Sequence, residues 1–332
     1  MARSEKQKLK LFYILRILLE DTDESSGVSM QHIIGRLESD FGIKAERKSI
    51  YDDFAALDEL GYGVEKLNGQ PVTYTLINRP FEITELKLLV DAVQASRFIS
   101  VKRSREIIRK LVSFAGKNDR SKLVRHLSID PMAKTVDDSS YYNVDTIHEA
   151  INSDSKIMFT YNEWTEDKIK RPRHGGKKYI VSPLALIWDN EYYYLAADDF
   201  GAVKNFRVDK MSSVSISGER RDADAGKLNM DAAIYSRKLF GMYGGKEELV
   251  TLRCRTSLAG VIIDRFGTEP PFIKESNGDF FRVSVRVALS PLFYGWVMNF
   301  GDGITIESPE YVRWEILRIA SDIGKIYGNN EK

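Results

Sequence analysis

Arg207 and Asp209 stand two residues apart in the run Phe206-Arg207-Val208-Asp209-Lys210-Met211. A guanidinium is a fixed fork of donors that can grip a phosphate at two points. Arg171, Arg173, His174, Lys177 and Lys178 add positive charge from a nearby stretch. Tyr161, Tyr192, Tyr193 and Tyr194 add ring faces and hydroxyls, and Ser182 adds a further hydroxyl. Such a set suits an anionic ligand, a nucleotide or single-stranded nucleic acid, because every base has a face to stack. A plainer role also fits: the tyrosines as packing, and Arg207 with Asp209 as a structural ion pair on one strand face.

A second set lies near the start of the chain. Arg47, Lys48, Ser49 and Tyr51 fall on the outward side of a helical stripe formed by Ile50, Phe54, Leu57 and Leu60. An outward basic and hydroxyl face of this kind can enter a DNA major groove, and it can equally be a solvated helix face. The segment 1–78 holds slightly more acidic than basic residues, which favours the solvated reading.

Other chemistry has no footing here. No phosphate-binding glycine loop, nucleophile elbow or paired-histidine zinc motif occurs. His32, His126, His148 and His174 are scattered, and Asp137-Asp138 and Asp198-Asp199 sit in turn-like contexts. Cys254 lies in an apolar strand pattern and reads as an inert thiol. The expectation is a binding protein rather than an enzyme, with no metal and no cofactor.

The chain has 332 residues, 43% hydrophobic and 29% charged, with a net charge of +1. That length calls for two to four domains. A near-neutral balance argues against a globally basic nucleic-acid coat, so local charge decides. Residues 97–125 are rich in Lys and Arg, with Glu106 and Asp119 as the acids, and could touch phosphates, line a subunit interface or face water. No apolar run approaches the roughly 18 residues of a membrane span. One cysteine and a charged opening, Met1–Lys6, point to the cytoplasm.

The elements that must position these groups follow from periodicity. Three helices come first, at 6–20, after an N-cap at Ser29, and through Ile50–Leu60, the last stopping at Gly61. Strands at 63–67 and 72–77 follow, joined by Asn68-Gly69, a strong hairpin signal. Helices are expected at 81–100, capped by Thr84, at 102–115, near 120–127 and at 143–153. About five strands follow, including 156–161, 180–188, 192–197 and 203–208, with a turn at Asp189-Asn190. Alternation places Tyr193, Leu195, Phe206 and Val208 toward the core, and Tyr194, Arg207 and Asp209 on the other face. After a charged linker at 220–227 and a helix at 230–240, strand and helix alternate twice to the end.

The fold predicted is α+β and multidomain. A winged helix-turn-helix covers 1–78, a helical linker 79–141, an Sm-like (SH3-type) β-barrel 142–220, and a ferredoxin-like α+β extension with its connecting helix 221–332.

Ser182-Pro183, Tyr193-Tyr194-Leu195 and Phe206-Arg207-Val208-Asp209-Lys210-Met211 resemble the core of a WYL domain, a ligand-sensing module of bacterial transcription regulators. Tyr193 stands where the family has its eponymous Trp. The run Arg47–Phe54 resembles the recognition helix of DeoR-like and WYL-type regulators, and Leu292–Glu307 resembles the extension that follows WYL domains. The resemblance implies a pocket lined by Tyr161, Tyr194 and Arg207. It also implies a homodimeric regulator that binds a double-stranded DNA operator and responds to an anionic effector. The alternative is an accessory nucleic-acid-binding protein that modulates a nuclease or anti-phage defence system.

Overall fold

The computed structural model describes residues 8–23, 25–125, 134, 138–222 and 232–328. The expected helix starts at Lys6 and Met230, the end of the short helix at Leu127, and most of the charged linker lie outside these residues. The chain forms two compact units, residues 1–138 and 139–332.

In the first unit, α1 (Lys10–Asp21), α2 (Met30–Phe41) and α3 (Arg47–Glu59) enclose Ile14, Ile17, Leu18, Ile33, Leu37, Ile50, Phe54 and Leu57. The Ser29 hydroxyl caps α2 by accepting from the His32 N–H at 3.2 Å, and Gly42 closes it at φ 66°. Strands β1 (Val28–Ser29), β2 (Val64–Leu67) and β3 (Thr73–Leu76) form a small antiparallel sheet in the order β1-β3-β2. The two-residue β1 is too short to show a sequence period. The hairpin register pairs Leu67 with Thr73, so the connection is residues 68–72 and not the tight Asn-Gly turn expected. Pro71 has no N–H to give to the ladder, which keeps that end open. Arg79 donates to the Leu18, Leu19 and Thr22 carbonyls at the end of α1.

Helices α4 (Ile83–Ala95), α5 (Val101–Ser113) and α6 (Lys117–Arg125) follow. Thr84 does not cap α4. The cap is Glu82, two residues earlier, with the Glu85 carboxylate accepting from the Glu82 N–H at 2.9 Å. These helices bury a small cluster of their own, Leu86, Ala115 and Leu123 with Phe81, Ile83, Leu111 and Val112.

The second unit opens with α7 (Ser139–Asn152), which buries Ile147 and Ala150 and whose Asn143 amide donates to the Met211 carbonyl at 3.1 Å. Strands β4 (Ser155–Trp164), β5 (Lys170–Pro172), β6 (Lys178–Asp189), β7 (Tyr192–Asp199), β8 (Ala202–Arg207) and β9 (Met211–Arg220) make one antiparallel sheet. The order is β5-β4-β6-β7-β8, with β9 also paired to β4. The expected barrel does not close. Among the described residues β8 and β9 do not pair, because the 3₁₀ turn Val208–Lys210 turns the chain away between them.

The tight hairpins sit at Asn190-Glu191, with φ 46° and 67°, and at Phe200-Gly201, with φ 55° and 83°. Two successive positive φ values match the right-handed twist of the flanking strands. The first turn therefore falls one residue later than Asp189-Asn190.

After α8 (Ala232–Lys238), the chain runs β10 (Glu247–Arg255), α9 (Ala259–Phe266), β11 (Ile273–Lys274), β12 (Phe280–Ala288), α10 (Pro291–Met298), β13 (Ile304–Ser308) and α11 (Glu310–Gly328). The antiparallel sheet order β11-β12-β10-β13 with this βαββαβ succession is the ferredoxin-like arrangement. Val250, Leu252, Val283, Val285, Phe293 and Val297 fill its core. No described helix is long and apolar enough to cross a membrane.

Candidate functional site

The end of β8 delivers Arg207 into a cleft of about 630 Å³. The Arg207 Nε donates to Asp209 Oδ1 at 3.0 Å and its Nη2 donates to Oδ2 at 2.8 Å. The guanidinium carbon lies 3.6 Å from the centre of the Tyr192 ring, a cation–π contact. Burial works against the charge, yet the bond and attraction to Asp209 raise the arginine's pKa above its ordinary value. A guanidinium carries five N–H donors, and the pairing with Asp209 engages two of them. The group is thus oriented and still able to donate.

Tyr161 reaches the same point from β4. Its hydroxyl accepts from the Arg207 backbone N–H at 3.1 Å, and burial pushes its pKa up to about 12. Its ring packs edge-on against Tyr179 and Phe206, with centroids 6.4 and 5.5 Å away. Tyr194 lies across from Arg207 in the β7–β8 register, and burial raises its pKa as well.

Arg173, His174, Lys204 and Lys210 also line the cleft, and no carboxylate does among the described residues. Burial lowers the Lys210 pKa, and the neighbouring Arg207, Arg173 and Lys170 charges add to that, against Asp209. Like Arg207, two of these cations have acidic partners: Lys204 meets Asp199 at 2.6 Å, and Arg173 lies 3.8 Å from Glu163. The remaining wall is residues 241–244, held by the Asn205 amide donating to the Met242 carbonyl at 3.0 Å. Met242 is buried with Ile187, Ala196, Leu239 and Ala288.

Of the residues expected from sequence, Tyr161, Arg173, Tyr194 and Arg207 come together here, with Asp209 directly behind Arg207. Lys178 and Ser182 lie outside the cleft. Lys178 is exposed at the start of β6, opposite Thr160. Ser182 is fully buried; its hydroxyl donates to Asp222 Oδ2 at 3.0 Å and accepts the Asp222 N–H at 3.1 Å. Tyr193 is not a core residue. It is half-buried and packs edge-on to Trp188 at 4.7 Å, while Leu195, Ala196 and Ala197 are all buried. Alternation fails along β7 because its second face is covered by the cluster around Leu239 and Met242. Asp209 lies past the end of β8, so the turn and not strand alternation brings it to Arg207. Lys204, Asn205, Tyr179 and the 241–244 wall were missed. The wall carries no local signal, since only folding brings it to the sheet.

On α3, Arg47, Lys48 and Tyr51 are exposed. The Arg47 Nε donates to the Tyr51 hydroxyl at 3.4 Å, and the Tyr51 and Tyr74 hydroxyls share a hydrogen bond of 2.7 Å. Ser49 is half-buried and faces inward. Its hydroxyl bonds the buried Lys10 ammonium, which also pairs with Asp53 at 2.7 Å.

A sheet cleft rich in cations and tyrosines, next to a ferredoxin-like unit, is now in view. Residues 142–216 match the WYL domain family. Residues 246–324 match the WCX domain family. The chain thus carries a WYL domain followed by a WCX domain, and the cleft lies between WYL strands and the segment that leads into WCX. No curated protein matches the chain. Among solved structures, it is similar to proteasome accessory factor B/C (PafBC) of Arthrobacter aurescens, at 19% identity and a TM-score of 0.30. That match covers 92% of this chain and 46% of that one, so the chain spans about half the relative's length. A CRISPR Cas-related protein matches at 12% identity and a TM-score of 0.34, over 99% of this chain and 86% of that one.

Proposed function

We propose that this protein is a cytoplasmic, dimeric DNA-binding regulator whose WYL domain takes an anionic effector. The observation that carries the effector is the cleft at Arg207, with five basic side chains, several tyrosine rings and no carboxylate on its described lining. Guanidinium and ammonium groups beside ring faces bind phosphate and base together. The WYL sheet acts here as an Sm-like, open-sided sensor, and the protein binds without catalysing a reaction.

For DNA, three helices and a hairpin make a winged helix-turn-helix. Its α3 offers Arg47, Lys48 and Tyr51 to the major groove, and Lys10 holds the helix in place through Ser49 and Asp53. Two heads are needed to read a palindrome at useful affinity, which calls for a dimer. Effector binding acts only if it favours one state of that dimer.

Fluorescence anisotropy with labelled mononucleotides and short single-stranded oligonucleotides tests the effector site. Binding that weakens at least tenfold in Arg207→Ala supports it, and undiminished binding overturns it. Footprinting on the DNA upstream of the gene tests the regulator. A discrete protected palindrome supports it, and uniform weak protection favours an accessory nucleic-acid-binding role instead.

A further inference from the structure

The outer side of α5 is a stripe of positive charge. Its exposed residues are Lys102, Arg105, Arg109, Lys110 and Ser113, four cations and one serine. Glu106 is the helix's one acid; it is half-buried and accepts from Arg103 Nη1 at 2.9 Å. Among the described residues none of the four exposed cations forms an ion pair. Other arginines of the first unit are held in place: Arg16 and Arg36 by acids, and Arg79 and Arg120 by backbone carbonyls.

The helix's own energetics work against this stripe. Like charges three and four residues apart repel, as at Lys102–Arg105 and Arg105–Arg109. The first turn holds no acid, so Lys102 and Arg103 stand at the positive end of the helix dipole. A polyanion laid along the helix relieves both effects. A protein surface fits less well. Interface centres are rich in aromatic anchors and poor in lysine, and no exposed residue of α5 is apolar.

The stripe is fixed to the first three helices. A Cβ on Gly116 would lie 1.9 Å from the Thr22 carbonyl oxygen, so the α5–α6 junction sits directly against the end of α1. Arg120 ties α6 back to the same junction, donating to the Ala115 and Ser113 carbonyls at 2.8 and 3.1 Å. α5 therefore belongs to one compact unit with α3.

We propose that Lys102, Arg105 and Arg109 grip the sugar–phosphate backbone of the duplex that α3 reads. The stripe is a second DNA-contacting surface, outside the recognition helix and the hairpin, and it rests on the regulator reading above. Lys102 to Arg109 spans about 10 Å of helix, the axial length over which one strand presents about three phosphates. Such contacts add affinity and fix position without reading bases.

Salt titration of duplex binding by the full chain tests this, with DNA from upstream of the gene and a scrambled duplex of equal length. Arg105→Gln with Arg109→Gln is expected to weaken binding to both about tenfold. It should also make the slope of log affinity against log salt shallower by about two, one counterion per lost phosphate contact. Arg105→Lys with Arg109→Lys is expected to keep the wild-type slope. Lys274→Gln with Arg286→Gln, exposed cations of the second unit, controls for net charge and is expected to change neither.

An unchanged slope in the glutamine pair, an equal loss in the control pair, or a loss that the lysine pair does not restore would each overturn the proposal. So would altered sedimentation with intact DNA binding, which would assign the stripe to a subunit contact. Arg47→Ala, measured alongside, keeps the two readings apart. If it weakens binding and the α5 changes do not, only the stripe fails. If the wild-type chain binds neither duplex, the regulator reading fails with it.

Discussion

Arg207 and Asp209 form a two-point pair across two residues of chain, at 3.0 and 2.8 Å, with Asp209 almost fully buried behind the guanidinium. The carboxylate holds the fork still and leaves its remaining N–H donors for a ligand. Asp209→Asn is expected to lower thermal stability by about 1.5–3 kcal/mol, the worth of hydrogen bonds to a charged group. It should also weaken anion binding although it removes a negative charge, because orientation is lost. Isothermal titration with a short oligonucleotide checks this. Stronger binding in the variant would mean that Asp209 acts only as a repelling charge.

Arg207→Lys separates charge from geometry. Lysine keeps the charge but cannot bond Asp209 and a phosphate through one planar fork. Affinity is expected to fall between that of wild type and Arg207→Ala. Equal affinity of the Lys variant and wild type would reduce the site to a point charge.

Tyr161→Phe removes the acceptor of the Arg207 N–H and leaves that donor without its bond. A loss of about 1–3 kcal/mol is expected in chemical denaturation. In wild type, burial holds the Tyr161 hydroxyl neutral up to about pH 12, so its ultraviolet titration should trail the exposed tyrosines.

Acid should loosen the first unit through Asp21. Burial works against its charge, but the bonds from His32 at 2.7 Å and Arg36 at 2.8 Å win and hold its pKa below the ordinary carboxylate value. The unfolded chain thus takes up this proton first. The stabilisation is complete above the ordinary carboxylate range and fades as pH falls through the lowered folded value. Urea melts between neutral and acid pH should show a smaller acid loss in Asp21→Asn than in wild type.

Gly245 has no room for a side chain. A Cβ there would lie 1.9 Å from the Leu289 carbonyl oxygen, and backbone cannot yield as a side chain can. Gly245→Ala is expected to cost at least about 2 kcal/mol, the range of severe overpacking. Differential scanning calorimetry would show the loss, and the neighbouring Gly244→Ala, in open space, should show little.

Much of this protein is written locally. Ser29 and Gly42 bound α2 because a capping hydroxyl and a left-handed glycine act within one turn of chain. The strand and helix alternation from Glu247 to the last helix is legible in the periods, except for β11, whose two residues are too few to show one. Arg207, Tyr161 and Tyr194 were picked out as a set by the family resemblance, since residue chemistry alone left packing tyrosines and a structural ion pair equally open.

Tertiary structure decided the rest. The 241–244 wall of the cleft lies more than thirty residues from Arg207 in sequence and meets it only because Met242 is buried against the sheet. Ser182 and Ser49 look like free hydroxyls until Asp222 and Lys10 are brought to them. Periodicity reports which face of an element is apolar. It cannot report that both faces of β7 are covered, or which distant partner satisfies a polar group, since those depend on contacts made only when the chain closes on itself.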